Sequence, residues 1–299
     1  MCLMNRVREA EVLQQEQAQA AMRHIRLVAI DLDGTLLDPN ERISEGNHRA
    51  VTAIRRAGIQ VVLVTARSFP RARVFAQELG LRLPVLCCSG ALVADSVSGK
   101  ELVHIPVPAA CAVPIVRFGL DHHLLVLINR DGAYLAHPDT ISDHQHAATL
   151  LSPAWVAAED LLEQAAQGPT FLRVMGRTDV DIITNEFEER FSDRLKFIDM
   201  VWRGVPDLGI YDRNVSKGNA LRDFCAERGI GREQVMAIGD HISDRAMFEA
   251  AGLCVAMENA DPQLQALADM VTTSNAHDGV AVVLRRVLLE RFGDEAPIP

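Results

Sequence analysis

Two carboxylates, Asp31 and Asp33, follow directly on the apolar run Leu27-Val28-Ala29-Ile30 and are followed at once by Gly34 and Thr35. A short buried run with β-branched residues reads as a strand. An i, i+2 pair leaving a strand end can aim both side chains at one place, and Gly34 lets the backbone turn sharply there. Two like charges so close repel, and a cation between them relieves the repulsion. Read by themselves, the two acids fit either a reactive site or an ordinary solvated turn with a capping Asp.

Other strand and helix ends carry residues that complete a chemistry. Thr65, Ala66 and Arg67 follow the apolar run 59–64. Ser216 and Lys217 open a helical stretch, and Asp240 and Asp244 follow the apolar run 235–238. A parallel sheet gathers strand ends from distant positions at one edge, where ligands bind. Together these residues supply phosphoryl transfer. An aspartate can attack phosphorus and carry the phosphoryl group, and a second carboxylate can protonate the leaving oxygen and then activate water. Carboxylates hold a hard divalent cation such as Mg²⁺, and a lysine and a hydroxyl can hold charge on the phosphoryl oxygens. Lys217 is informative by its position, since a helix N-terminus favours an anion over a cation.

The elements that must position these residues follow a regular rhythm. The pattern predicts strands at about 25–30, 59–64 and 83–88, with helices between them, one capped by Ser44 and one over 69–79. Strand–helix–strand repeated in this way gives βαβ units and a parallel sheet. The rhythm then breaks. Ser98-Gly99 and Asp131-Gly132 mark hairpins, and Pro106, Pro108 and Pro114 mark a linker and a helix start. A helix is expected over about 154–166, a strand over 170–175, a helix over 179–191, and strands over 196–202 and 208–211. From Ser216 the α/β rhythm resumes, with helices over 216–228, 243–251, 262–268 and about 279–291 and strands over 235–238 and 253–257. The expected fold is α/β: a Rossmann-like, doubly wound parallel sheet formed by residues 23–106 and 212–299, with an inserted α+β domain over 107–211. Residues 1–22 read as an extension, either a loosely held helix rich in Glu, Gln and Ala or a segment that a start at Met22 would omit.

Composition narrows the partners. With 30 basic and 40 acidic residues the formal net charge is −10, which excludes a nucleic acid or membrane surface held by a broad basic patch. The six cysteines form no CxxC pair and read as buried reduced thiols, and no apolar run approaches the ~20 residues of a membrane helix. The expectation is a cytoplasmic protein acting on a small molecule. His137, His144 and His146, with Asp139 and Asp143, have no compact metal-ligand spacing and read as a loop of solvated histidines.

The motifs taken together resemble the haloacid dehalogenase-type phosphatases, in their Cof-type branch with a large inserted cap. The matching stretches are Asp31-Leu32-Asp33-Gly34-Thr35, Val64-Thr65-Ala66-Arg67, Val215 to Leu221, and Gly239 to Asp244. Val255 to Ala260 and Ser274 to Val280 match the branch's tail. The resemblance covers residues 24 to about 290. It implies Asp31 as nucleophile and Asp33 as general acid/base with its carbonyl on Mg²⁺. It implies a phosphate site at Thr65, Ala66, Gly34 and Lys217, the lysine also pairing with Asp31. The metal would be held by Asp31, Asp33 and Asp240, with Asp244 supporting its shell. This chain has Ser243 where the family usually has Asn, Ser89 where Asn usually precedes Gly-Ala, and Ala66 in place of a frequent glycine. The implied activity is Mg²⁺-dependent hydrolysis of a small phosphorylated metabolite, such as a sugar phosphate, through an aspartyl-phosphate. A phosphomutase or phosphotransferase would use the same intermediate, and a catalytically weak phospho-ligand-binding protein or a phospho-accepting signalling domain would share part of the set. The intact Asp33 and the large insertion argue against the signalling domain.

Overall fold

The computed structural model describes residues 16–144, 155–202 and 204–293. These form two compact units, one of residues 16–67, 71–100 and 216–293, the other of residues 68–70 and 101–215 as far as described.

The first unit is built on five parallel strands: β1 (Leu27–Ile30), β2 (Gln60–Leu63), β3 (Val235–Gly239), β4 (Leu253–Ala256) and β5 (Met270–Val271), in the spatial order β5-β4-β3-β1-β2. All four residues of β1 and all five of β3 are buried, as expected of strands covered on both faces. β1 lies between β2 and β3, where the direction of winding reverses, and this is the doubly wound core expected from the rhythm. A parallel bridge from Val64 to Leu86 brings the strand Val85–Cys87 alongside β2.

Local rules account for the helices around the sheet. α1 (Glu45–Arg56) opens on Ser44, whose hydroxyl accepts from the Asn47 N–H. It buries Ala50, Val51 and Ile54 and ends with Arg55 and Arg56, cations where the helix dipole favours them. Arg55 also donates to the carbonyls of Leu79 and Gly80, just past the end of the helix Phe69–Glu78. α2 (Lys217–Ala226) opens on Ser216, which accepts from the Asn219 N–H at 2.9 Å. α3 (Gly279–Phe292) packs against α1. Asn47, fully buried, links the two: its amide donates to the Leu36 carbonyl and its oxygen accepts from the Ala281 N–H. Residues 16–22 are helical and Met22 is buried; the rest of the expected extension lies outside the described residues.

The second unit carries a six-stranded sheet, antiparallel except where Trp155–Ala157 runs parallel to Ala133–Ala136. Val126, Ile128, Leu172, Val174, Leu208 and Ile210 alternate along its central strands. They share a core with the helices Ala109–Asp121, Leu161–Ala166 and Arg177–Phe187.

Some local expectations are corrected. The helix expected over 154–166 is a strand, Trp155–Ala157, followed by a helix of only Leu161–Ala166. Pairing with Ala133–Ala136 overrides the helical pattern there. Pro114 does not start a helix but lies inside Ala109–Asp121, which begins after Pro108. The helix expected over 243–251 is a tight turn, Ile242–Asp244, running into Arg245–Glu249. His144 is half-buried rather than freely solvated: its Nε2 lies 2.9 Å from the buried Asp179 carboxylate. His146 lies outside the described residues. The five described cysteines are buried thiols outside any disulfide, and burial pushes the Cys254 thiol up to about 12.

Candidate active site

The site is assembled at the carboxyl ends of β1, β2 and β3. Ile30 is in register with Leu63 on β2 and Ile238 on β3, so the residues that follow each strand emerge side by side. After β1 the chain makes a wide turn over Leu32–Leu36, closed by Leu36 N–H to Asp31 carbonyl and Leu37 N–H to Leu32 carbonyl. Gly34 makes this turn at φ +76°, in the left-handed region. A Cβ added there would lie 2.2 Å from Asp240 Oδ2, so both conformation and space require glycine.

Lys217 is the hub. Its ammonium donates to Asp31 Oδ1 at 2.8 Å and to Asp244 Oδ1 at 2.6 Å, with the lysine side chain 4% exposed and Asp244 wholly buried. α2 can come this close to the turn after β3 because Gly218 has no side chain: a Cβ there would lie 1.9 Å from the Ala246 carbonyl. The other oxygen of Asp244 accepts from the N–H groups of Asp240 and His241, both at 3.1 Å, and shapes the chain just past β3. Thr35, buried, donates to Asp240 Oδ1 at 2.7 Å.

Asp31, Asp240 and Asp244 each present an oxygen within 4.8 Å of one another. Lys217 provides one positive charge against these three acids. Burial, and then the charges of Asp244 and Asp240, push the Asp31 carboxyl well above its usual range, with Lys217 opposing them. Burial chiefly pushes Asp240 up to about 6, although the Thr35 hydroxyl works the other way. Burial also disfavours the Lys217 ammonium, but Asp244 and then Asp31 outweigh it and hold the lysine charged beyond its ordinary range. Among the described residues no hydrogen bond is made to Asp31 Oδ2 or Asp240 Oδ2. The donor set therefore fits a hard divalent cation: carboxylate oxygens only, surplus negative charge, and two oxygens without a hydrogen-bond donor.

The remaining expected residues fall as follows. Thr65 is buried at the end of β2, and its hydroxyl accepts the Arg67 N–H at 3.1 Å, which leaves its own proton for another acceptor. Ala66 is exposed beside it. The Asp33 carboxylate is not with the other three. It is 52% exposed and paired with Arg67, whose Nε donates to Asp33 Oδ2 at 2.8 Å and whose Nη2 donates to Oδ1. Ser243 is exposed and hydrogen-bonded to His241, outside the carboxylate cluster. Sequence reasoning assigned no role to Thr35, Asn259, Asn275 or Glu41. Asn259 donates to the Gly34 carbonyl at 2.9 Å and Asn275 to the Leu37 carbonyl at 2.8 Å, tying the turn after β1 to chain more than 200 residues away. Both asparagines lie in stretches that matched the tail motifs, and that was the available signal.

A family model described as haloacid dehalogenase-like hydrolase matches residues 28–284. The chain is 30% identical over 262 residues to the pyridoxal phosphate phosphatase YbhA of Escherichia coli, covering 86% of this chain and 96% of that one. It is 27% identical over 281 residues to the 5-amino-6-(5-phospho-D-ribitylamino)uracil phosphatase YcsE of Bacillus subtilis, covering 89% and 96%. Among solved structures, TM0651 of Thermotoga maritima matches with a TM-score of 0.77 at 28% identity, covering 88% of this chain and 97% of that one. The chain belongs to the haloacid dehalogenase-like hydrolases, in their Cof-type branch. It is an enzyme, a phosphoric monoester hydrolase. Among the described residues no helix is long and apolar enough to cross a membrane.

Proposed function

We propose that the protein is a Mg²⁺-dependent phosphatase that hydrolyses a small phosphorylated metabolite through an aspartyl-phosphate on Asp31. The observation that carries this reading is the Lys217 ammonium shared between Asp31 and Asp244 inside a buried cluster with surplus negative charge. Lys217 opposes the protonation of Asp31, as a bound cation would further, and offers positive charge to the phosphoryl oxygens. The Thr65 hydroxyl donates to one of those oxygens. Asp31 attacks phosphorus while the bond to the ester oxygen breaks, and Asp33 gives that oxygen its proton. Asp33, now ionised, takes a proton from water, which attacks the acyl-phosphate and releases inorganic phosphate and free Asp31. Asp31 and Asp240 would hold the cation, with Asp244 fixing the loop that carries Asp240. When bound, the cation offsets the repulsion between carboxylate and phosphate. The inserted unit carries none of these residues, and we assign it the reading of the leaving group.

The test is phosphate release from a panel of phosphate esters with Mg²⁺. Multiple turnovers are expected, abolished by EDTA and by Asp31→Asn, with an acid-quenched phosphoprotein labelled at Asp31. A single phosphorylation without phosphate release, or movement of phosphate to another hydroxyl, overturns the reading.

A further inference from the structure

Arg67 sits at the site and takes no part in the steps above. Its side chain is only 11% exposed, and the Phe75 ring lies against it, 5.2 Å from the guanidinium carbon. It grips both oxygens of Asp33. The same Nη2 also donates to Glu41 Oε2 at 3.2 Å.

Glu41 is presented deliberately. The Asp38 carboxylate accepts from the N–H groups of Asn40 and Arg42 at 2.8 and 2.9 Å. The Glu41 N–H donates to the Asp38 carbonyl, and the Arg42 carbonyl accepts from Asp38 N–H. This tight loop places Glu41 at φ +59°, a left-handed conformation that a glutamate adopts at a cost. The loop thus brings a second carboxylate to a guanidinium that already has one.

The arrangement poses a conflict. Resting on the reading of Asp33 as the general acid/base, that carboxyl must deliver a proton to the leaving oxygen, yet both its oxygens are engaged by Arg67. A nearly buried guanidinium left without a partner is costly, so Arg67 resists losing Asp33. Glu41 removes that resistance because it is already on the same nitrogen.

We propose that Arg67 and Glu41 form a two-position latch for Asp33. Arg67 holds the Asp33 carboxylate outward, and Glu41 takes over the guanidinium when Asp33 turns toward the reacting ester. Asp33 takes up a proton from solvent water as it leaves Arg67 and carries that proton to the leaving oxygen. Both are positioning residues, acting on the reaction only through Asp33. The latch predicts that losing Glu41 is harmful only while Arg67 is present.

The test is single-turnover cleavage with Mg²⁺, comparing an alkyl phosphate, whose leaving oxygen needs a proton, with p-nitrophenyl phosphate, whose leaving group does not. Glu41→Gln is expected to slow alkyl phosphate cleavage on the order of tenfold and to leave p-nitrophenyl phosphate cleavage within about twofold. Adding Arg67→Met to Glu41→Gln is expected to restore the alkyl rate, which a merely structural pair would not do. Equal losses on both substrates, or a double variant slower than the single one, overturn the latch. Asp33→Asn separates this from failure of the underlying reading: cleavage of both substrates at wild-type rates by Asp33→Asn removes the acid/base role itself. Selective loss of alkyl cleavage there, without the Glu41 effect, removes only the latch.

Discussion

Arg173 and Asp207 lie on adjacent antiparallel strands of the second unit, 5% and 2% exposed, joined through the guanidinium Nε and Nη2. The Tyr134 ring lies 5.3 Å from the same guanidinium. Lys217 in the first unit is as deeply buried, but it faces Asp31, Asp240 and Asp244 together. One cluster is charge-balanced, one guanidinium against one carboxylate. Among the described residues, the other has one cation against three acids and two carboxylate oxygens without a donor. Burial of charge therefore does not by itself mark a reactive site; an unmet charge does. In the balanced pair the guanidinium is held above its ordinary range by Asp207, with Tyr134 adding to it, against the pull of burial. In the unbalanced cluster two acids are pushed up, which is the signature of a place meant for a cation or a substrate.

The comparison can be broken most severely at Asp31. Asp31→Asn should lower steady-state phosphate release by roughly 10⁴-fold or more. It should leave the urea midpoint unchanged or raised, because it removes surplus charge while Lys217 keeps Asp244. Asp207→Ala should do the opposite. It leaves Arg173 buried and uncompensated, so urea unfolding should show a loss of about 3–5 kcal/mol, with turnover retained at temperatures where the protein stays folded. If both variants lose stability equally, the distinction between the clusters fails.

A third measurement sharpens the comparison through pH. Asp240 is pushed up to about 6 in the folded protein, against about 3.9 for an unperturbed aspartate. Between these values the folded chain holds a proton that the unfolded chain has released. The stability this supplies is fully present below about pH 4 and is lost as pH rises through about 6. Chelator-treated protein should therefore melt higher at pH 5 than at pH 7, Asp240→Asn should flatten the difference, and Mg²⁺ should restore melting temperature at pH 7. The smallest effect is expected at Ser243. Because this serine bonds to His241 outside the carboxylate cluster, Ser243→Asn should shift stability by no more than about 0.5 kcal/mol and leave the Mg²⁺ concentration for half-maximal activity within about twofold.

What could be read from the sequence is what short-range rules govern. The all-buried strand Leu27–Ile30, the Ser44 and Ser216 caps and the gathering of Asp31, Thr65 and Asp240 at one sheet edge follow from apolar runs, capping chemistry and parallel topology. Lys217 at a helix start also stood out as a cation in the wrong place for the dipole. What could not be read depends on partners far along the chain. Thr35 matters through Asp240, Asn47 through Ala281 and Asn259 through Gly34, each more than 200 positions away. The Trp155–Ala157 strand exists only because Ala133–Ala136 offers it a free edge. The outward turn of Asp33 depends on Arg67, itself steadied by Phe75 and Glu41, and no periodicity encodes that grip.

The placement of β1 between β2 and β3 has a consequence for how the enzyme is made. A chain emerging from the ribosome shows Asp31 early, beside β2, but β3 is synthesised some 200 residues later. Until then Asp31 has neither Lys217 nor Asp240 beside it, and the turn that holds it lacks Asn259, Asn275 and the Asn47 link to α3. Contacts of such long sequence separation form slowly and late. A growing polypeptide ending before residue 216 should thus fail to turn over phosphate esters, and the cluster around Asp31 is complete only when nearly the whole chain has been translated.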